Sequence, residues 1–192
     1  MGSGGRNRGE RAVGSFSTIA AVTAAIYEIV QAALTEALPA STLRIGAPRA
    51  MEQEGSWACL YLHHLSPNAS AGEANLPARR RGGAPAGMRV AVDLHYLVAF
   101  TAVEPLAAEM MLGKVLIALA ARPVLDAGTL EASAHHFSLL AGLSLQSEPI
   151  RLIAEYPSAG ELAEIWTGLR LPHRPSLQLA ASPVLIDYDP TP

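Results

Sequence analysis

The clearest pattern of hydrophobic and polar positions lies in residues 89–100, where the two alternate along the chain. One set of alternating positions is almost wholly apolar: Val90, Val92, Leu94, Tyr96 and Val98. The other set is more polar: Arg89, Ala91, Asp93, His95 and Leu97. Because successive side chains of a strand point to opposite faces, this alternation predicts a β-strand with one face in the core.

Three other segments repeat their apolar residues at intervals of three and four, which is typical of amphipathic helices. The first follows Ser17 and ends before Pro39, with an apolar stripe at Ile19, Val22, Ile26, Ile29, Val30, Ala33 and Leu34. The second covers Glu104–Ala121, with a buried side predicted at Leu106, Met110, Leu112, Val115, Leu116 and Leu119. The third covers Ser158–Leu169, and Ser158 is its predicted N-cap.

Shorter extended segments are predicted between these elements, at Thr42–Ile45, Trp57–Leu65, Ile150–Tyr156 and Ser176–Tyr188. Pro183 falls inside the last of them. A proline cannot donate to a sheet ladder, so we expect this strand at a sheet edge, or bulged or broken at the proline. The pattern of residues 127–145 is ambiguous and fits a short helix and a loop. The chain is therefore predicted to be an α/β protein of the α+β type, with about three helices on a mixed, largely antiparallel sheet.

Composition divides the chain into one domain with short ends. Residues 1–15 are rich in Gly, Arg and Ser and are predicted to be a disordered leader. Residues 16–189 form a single predicted domain, residues 190–192 a short tail, and residues 69–87 a long surface loop. The apolar helix of residues 19–38 contains polar residues throughout, so we expect no membrane span.

Charge is sparse and unevenly distributed. Only 16% of the residues are charged, and the formal net charge is -3. Residues 1–90 hold nine basic and six acidic side chains, and the remainder holds five and eleven. The sparse charge favours a subunit whose surface is partly covered by a partner, and the negative total argues against a general nucleic-acid binder. The lone Cys59 excludes a disulfide framework and indicates a reducing, cytoplasmic compartment.

Candidate chemistry is limited to a few polar residues. His63 and His64 adjoin in a predicted strand, so their side chains should point to opposite faces and cannot share a metal ion. Asp93 and His95 share a face, the spacing of a carboxylate that orients an imidazole, but no nucleophile elbow accompanies them. No phosphate loop, dinucleotide fingerprint or metalloprotease motif is present. The sequence therefore predicts no metal, cofactor or catalytic residue, and a small hydrolase using Asp93 and His95 remains an alternative.

The predicted loop contains two further features. Asn68-Ala69-Ser70 matches a glycosylation sequon, which has no use in a chain that does not enter the secretory route. Arg79, Arg80 and Arg81 form a basic run without aromatic neighbours, so stacked nucleic acid is a poor fit. A solvated loop and a contact with another protein remain open for this run.

Several segments taken together resemble one protein family. They are SFSTIAAVTAAIYEIVQAAL, CLYLHHLSPNASAGEANLPARR, VAVDLHYLVAF, LGKVLIALAARPVL, IRLIAEYPSAGELAEIWTGLRLPHRPSLQL and VLID. In order and spacing they are similar to the tail terminator, or cap, proteins of phage-tail-like contractile injection systems, of the virulence-cassette and antifeeding-prophage type. The similarity extends from Ser15 to Asp187.

That resemblance implies a structural protein without enzymatic activity. It implies a ring of identical subunits, a hexamer, on the inner tube and sheath, formed in the cytoplasm as part of a particle that can be released. An adaptor or baseplate-like subunit of the same machine is the alternative. The loop and the last strand are the implied contact surfaces, with interface candidates Asn68, Asn75, Leu76, Pro77, Arg79, Arg80, Arg81, Ser176, Leu177, Leu179, Val184 and Ile186. The resemblance implies no nucleic-acid partner.

Overall fold

The computed structural model describes residues 17–49, 55–69, 88–140, 146 and 148–188. Ten elements follow one another along this part of the chain. In order, they are α1 (Thr18–Ala37), β1 (Thr42–Ile45), β2 (Trp57–Pro67), β3 (Met88–Thr101), α2 (Ala107–Ala121), β4 (Val124–Leu125), α3 (Ala127–His135), β5 (Ile150–Glu155), α4 (Ala159–Leu169) and β6 (Ser176–Tyr188). A short 3-10 turn, Ser138–Leu140, follows α3. The predicted leader and tail lie outside the described residues.

The strands form one sheet in the order β1-β2-β3-β6-β5-β4. Only the β1–β2 pair is parallel, and the other pairs are antiparallel. The predicted mixed, largely antiparallel sheet is therefore confirmed. Its two central strands, β3 and β6, are also its longest, at 14 and 13 residues.

One face of the sheet carries the main core. The apolar stripe of α1 is buried as predicted, and α2 and α3 pack beside it through Met111, Val115 and Leu130. Beneath them lie the alternating apolar residues of β3, which confirms the strand read from residues 89–100. Tyr96 is fully buried there, and its hydroxyl lies 2.9 Å from Oγ1 of Thr23 on α1.

The opposite face is covered at one end only. Trp166 of α4 packs on Trp57, Cys59, Leu97 and Ala99, in a second and smaller cluster. The helix is fixed at its start by a capping box, in which Ser158 Oγ accepts from the Glu161 N–H and Glu161 Oε2 accepts from the Ser158 N–H. The remainder of this face is left to polar side chains.

Three details of the fold settle or correct what the sequence left open. The ambiguous segment after residue 126 contains a helix, α3, whose N-cap Asp126 accepts from Thr129 N–H at 2.8 Å. Strand β6 lies between β3 and β5 along Gln178–Ser182, so it is not an edge strand as a whole. The pairing with β5 ends at Ser182, however, so Pro183 begins a stretch of β6 that has a strand partner on one side only. The alternative of a bulge at the proline is confirmed, because the β3–β6 register shifts between Val92 and Leu94, opposite Pro183.

The buried side of α2 was predicted only in part: Val115 and Leu119 are buried, and Leu112 and Leu116 pack against the core. Its buried residues are Ala107, Met111, Val115 and Leu119, spaced by four. Leu106 and Met110, predicted to be buried, are 71% and 58% exposed. The sequence of α2 is apolar almost all round, so periodicity alone could not select the correct stripe.

The polar residues of α1 predicted that it does not span a membrane. Its length and mean hydropathy are nevertheless those of a membrane-crossing helix, so composition alone does not exclude a span. In the fold, however, ten of its residues are buried against the other helices and the sheet. A core helix of a folded domain has this same composition, and packing accounts for the apolar character of α1 without a membrane.

Candidate functional site

A cleft lies between α4 and the polar part of the sheet, and we call it the polar cleft. Ten residues line it: His63, His64, His95, Glu155, Tyr156, Pro157, Glu161, Glu164, Ile165 and Gln178. Its volume is about 740 Å³, and its mouth is open. The lining residues come from β2, β3, β5, β6 and α4, so the sheet fixes one wall and the capped helix fixes the other.

A bulge in β2 brings two neighbouring histidines into this cleft. The β2–β3 register shifts between Leu62 and His64, so His63 is an extra residue and His64 pairs with His95. The expectation that His63 and His64 point to opposite faces is therefore wrong, because a bulge breaks strict alternation. Their ring centroids are 6.5 Å apart, and those of His64 and His95 are 5.4 Å apart.

Burial and the neighbouring histidines lower the pKa of His63 below its ordinary value of 6.5. The first cause is loss of solvation, which disfavours the charged imidazolium, and repulsion from His95 and His64 adds to it. The Nε2 atom of His63 is buried and has no hydrogen-bond partner among the described residues. His63 is thus held neutral near pH 7.

His95 is held by two partners, neither of which is the predicted Asp93. Its Nε2 lies 2.9 Å from Ser66 Oγ, and its Nδ1 lies 3.1 Å from Glu155 Oε2. Asp93 instead accepts a hydrogen bond of 2.6 Å from Asn68 Nδ2. The reason is the bulge opposite Pro183, which interrupts the β3–β6 register at Asp93. The carboxylate that contacts the imidazole comes from β5, two strands away, and sequence spacing could not identify it.

The Ser66–His95–Glu155 chain has the order of a hydroxyl, a base and a carboxylate, but a hydrolase also requires donors for an oxyanion. Asn68 N–H donates to Ala91 O at 3.1 Å. Because N–H groups alternate in direction along a strand, the Ser66 N–H also points into the β2–β3 ladder. The Ser66 N–H is therefore engaged in the ladder and is not available to an oxyanion. Among the described residues, no group of three or more His, Cys, Asp or Glu could hold a metal ion.

The last strand, the second predicted contact surface, lies mostly inside the domain. Leu177, Leu179 and Val184 are buried in the main core, and Ile186 is half-buried. Ser176 has a buried Oγ with no partner among the described residues. The Gln146 side chain binds the part of β6 that lies beyond the end of β5. Its Oε1 accepts from Leu185 N–H at 2.7 Å, and its Nε2 donates to Pro183 O at 3.3 Å. Sequence reasoning missed this contact.

The predicted loop surface is described only at its start. Asn68 Nδ2 donates to Asp93 Oδ1 and, at 2.9 Å, to Ser182 Oγ, so its amide ties β2 to the bulge of β6. Asn75, Leu76, Pro77, Arg79, Arg80 and Arg81 lie outside the described residues. The interface role of these positions, and of the β6 positions, stays a prediction.

An apolar surface on α2 was not predicted as a contact site. Val103, Leu106, Met110 and Ile117 are between 58% and 71% exposed, and the last three recur along one side of the helix. A helix that is apolar all round is normally covered on all sides. The lack of a polar stripe in α2 was therefore the sequence feature that could have predicted a contact site on this helix.

The comparisons with known proteins agree with this fold. A solved sheath/tube terminator of an extracellular contractile injection system, PVC, in its extended state, superposes with a TM-score of 0.61 at 17% identity. The tube-terminating cap of the anti-feeding prophage superposes with a TM-score of 0.62 at 18% identity. These matches cover 91% and 88% of this chain, and 61% and 55% of the solved chains. This chain thus spans roughly three fifths of the length of those proteins.

A comparison with curated protein sequences finds no match. The sequence profile of the family described as the Pvc16 N-terminal domain, however, matches residues 21–192. The matched range includes every strand of the sheet, the polar cleft and nearly all of α1. This chain belongs to the Pvc16 N-terminal domain family.

Proposed function

We propose that this chain is a structural cap that ends the inner tube and contractile sheath of a phage-tail-like injection system. The observation that carries the proposal is the match of residues 21–192 to the Pvc16 N-terminal domain family, together with a fold shared with two terminator proteins. Under this proposal the chain acts through its surfaces on tube and sheath subunits, and it needs no cofactor or catalytic residue.

The cap is proposed to be a ring of six identical subunits. Support comes from the number of large apolar side chains that the single chain leaves exposed. Among the described residues they include Ile45, Leu65, Val103, Leu106, Met110, Ile117, Leu139, Ile153 and Tyr156. Single exposed apolar side chains are common on protein surfaces, whereas several of them side by side mark a contact surface. The stripe on α2 is the most regular part of this surface and is our candidate for a contact with tube or sheath.

A cap must also avoid extending the polymer that it ends. Exposed strand edges accept further strands through their free N–H and C=O groups. Here the unpaired side of β6 is occupied by the Gln146 amide, and Pro183 lacks an N–H. One outer strand of the sheet, β4, has only two residues, and β1 has four. Short or covered sheet edges suit a subunit to which no further subunit adds a strand.

Particles produced without this protein test the proposal. Loss of a terminator should leave tubes and sheaths that assemble but vary widely in length, as seen by negative-stain microscopy. Loss of an adaptor or baseplate-like subunit, the alternative, should leave few or no tails. Restoring the wild-type chain from a plasmid is the control, and it should return a uniform length.

The particle is proposed to form in the cytoplasm, from which it can be released. One of the solved relatives is a component of an extracellular system. Fractionation of producing cells tests this directly. The chain should sediment with particles in both the cell lysate and the released material, and it should be retained at one tube end after sheath removal.

A further inference from the structure

Gln178 of β6 is an unpartnered polar side chain on the floor of the polar cleft. The residue is only 9% exposed, yet it lines the cleft. Its side chain makes no hydrogen bond with any described residue, and neither amide atom is among the fully buried unpaired atoms. The small part of Gln178 that solvent reaches therefore includes the amide. Because buried polar groups almost always have a hydrogen-bond partner, an open amide at this depth is a candidate contact for a ligand.

The sheet holds this amide in a fixed place. Gln178 pairs with Leu97 of β3 on one side and with Glu155 of β5 on the other. Leu97 is apolar and fully buried, and Glu155 Oε2 already lies 3.1 Å from Nδ1 of His95. Neither neighbour satisfies the amide, so its partner comes from the cleft, as solvent or as a ligand. A contact on an interior strand is preorganised, which reduces the entropy cost of binding.

The wall formed by α4 determines the charge of a matching ligand. The described lining residues include no lysine or arginine. Glu161 uses only Oε2 in its capping bonds to Ser158, and Glu164 makes no hydrogen bond or ion pair with any described residue. A cleft lined by charges of one sign concentrates ligands of the opposite sign. With the carbonyl oxygen of Gln178, these carboxylates supply acceptors on two walls, which suits a cation with several N–H donors.

An aromatic ring selects among such cations. Tyr156 lines the same cleft and is 83% exposed, so one face of its ring is open to a ligand. A guanidinium group is planar, stacks on aromatic faces and donates hydrogen bonds in several directions at once. An ammonium group is a compact point charge with a stronger hydration shell, so it gains less from a ring and an amide together. The cleft therefore has the chemistry of a guanidinium site.

We infer that the polar cleft binds a guanidinium group, which donates to the Gln178 carbonyl oxygen and to the carboxylates of Glu161 and Glu164 and stacks on Tyr156. This site goes beyond the proposed cap role and does not depend on it. Small alkylguanidines and arginine side chains share this chemistry. The cleft volume of about 740 Å³ is within the usual range of ligand sites and accommodates either source.

Titration with small probes tests the chemistry of the site. Butylguanidinium carries the proposed group, butylammonium has the same alkyl chain with a point charge, and methyl glucoside is a neutral polyol. Proton–nitrogen correlation NMR follows the side-chain amide of Gln178, identified as the cross-peak that is missing in Gln178→Leu. Butylguanidinium should shift this peak with a Kd of about 1 mM, as expected for a ligand of so few atoms. Butylammonium should bind at least about 3-fold more weakly, and methyl glucoside should not bind.

A blocked Ala-Arg-Ala tripeptide distinguishes the two sources of the group. Binding of both the tripeptide and butylguanidinium assigns the cleft to arginine side chains. Binding of butylguanidinium alone assigns it to small alkylguanidines, because the peptide backbone then does not fit. Both results support a guanidinium site.

Three variants test the named contacts, with binding followed through the backbone amides of residues 155–165. Gln178→Leu keeps the volume of the side chain but removes the amide, and it should weaken butylguanidinium binding by about 10-fold or more, the effect of losing a hydrogen bond to a charged group. Glu164→Gln and Tyr156→Ala change exposed side chains, so the fold should tolerate them. Each should weaken binding by about 3-fold or more.

Matched controls carry the same chemical changes elsewhere. Glu131→Gln alters an exposed glutamate of α3, on the other side of the sheet, and Gln31→Leu removes an amide from α1. Both controls should bind butylguanidinium like the wild type. The guanidinium site is overturned if the wild type shows no saturable shift below about 20 mM. Equal binding of butylammonium, or unchanged binding in Gln178→Leu, also overturns it. Should Gln178→Leu fail to fold, unchanged binding in both Glu164→Gln and Tyr156→Ala has the same meaning.

Discussion

The side-chain amide of Gln146 bonds to the backbone of β6 as a neighbouring strand would, accepting from Leu185 N–H at 2.7 Å. The same side chain is nearly buried and donates to the carbonyl of Pro183. Gln146→Ala leaves the partly buried N–H of Leu185 without its acceptor, and such a loss typically costs about 1–3 kcal/mol of unfolding free energy. Urea denaturation should show that loss of unfolding free energy. Gln31→Ala is the control: it removes only hydrogen bonds to Tyr27 and Thr35 of the same helix and should change the free energy of unfolding by less than about 0.5 kcal/mol.

The Gln146 variant also tests edge protection. With the amide gone, the C-terminal half of β6 exposes backbone groups that can accept another strand. We expect slow aggregation of Gln146→Ala at concentrations where the wild type and Gln31→Ala stay dispersed, measured by light scattering. Equal scattering from all three proteins would show that Gln146 does not protect this edge.

The buried hydroxyl of Tyr96 links α1 to the centre of the sheet through Thr23. Removing it in Tyr96→Phe loses one buried hydrogen bond but keeps the ring, so we expect a destabilisation of about 0.5–1.5 kcal/mol. Tyr156→Phe removes the same atom from a side chain that is 83% exposed and should be neutral. Thermal and urea unfolding of the two variants should differ accordingly, and equal stabilities would contradict the assigned role of the bond.

His63 should make the domain less stable in mild acid. Its pKa in the folded chain is below the ordinary value of 6.5, so the unfolded chain binds the proton first as pH falls. The unfolded state then holds more protons than the folded state, and stability is lost as pH drops below about 6.5. His63→Gln should reduce the difference between urea midpoints at pH 7.5 and pH 5.5. The same pH dependence in the wild type and in His63→Gln would contradict this role of His63.

Cys59 should be inert in the folded chain. Burial raises its pKa from 9.0 to about 11, so the reactive thiolate is about a hundredfold rarer than in an ordinary cysteine. We expect negligible labelling by iodoacetamide at pH 8 in buffer, and complete labelling in 6 M guanidinium. Rapid labelling of the native protein would contradict the packing of Cys59 beneath Trp166.

Strand and helix positions could be predicted wherever one face of an element is apolar and the other polar. The alternation of 89–100 and the stripe of α1 have this property, and both were predicted correctly. Helix α2 does not, because its sequence is apolar on nearly every side. The choice of its buried stripe depends on the shape of the core around Met111 and Val115, which a one-dimensional pattern does not contain.

The polar cleft could not be predicted, for two physical reasons. Bulges at His63 and opposite Pro183 change which side chains share a face, and a bulge is decided by the pairing of both strands. The contact between His95 and Glu155 joins residues 60 positions apart across β6. Strand order, which sequence alone left open, determines that contact.

The most direct test of the proposed cap is the length distribution of tubes assembled in its presence. Purified inner-tube subunits are allowed to polymerise with increasing amounts of this chain, and lengths are measured by electron microscopy. A terminator should shorten the mean tube length in proportion to its concentration, and gold-labelled chain should lie at one end of each tube. Unchanged lengths, with label absent or scattered along the tubes, would contradict the account.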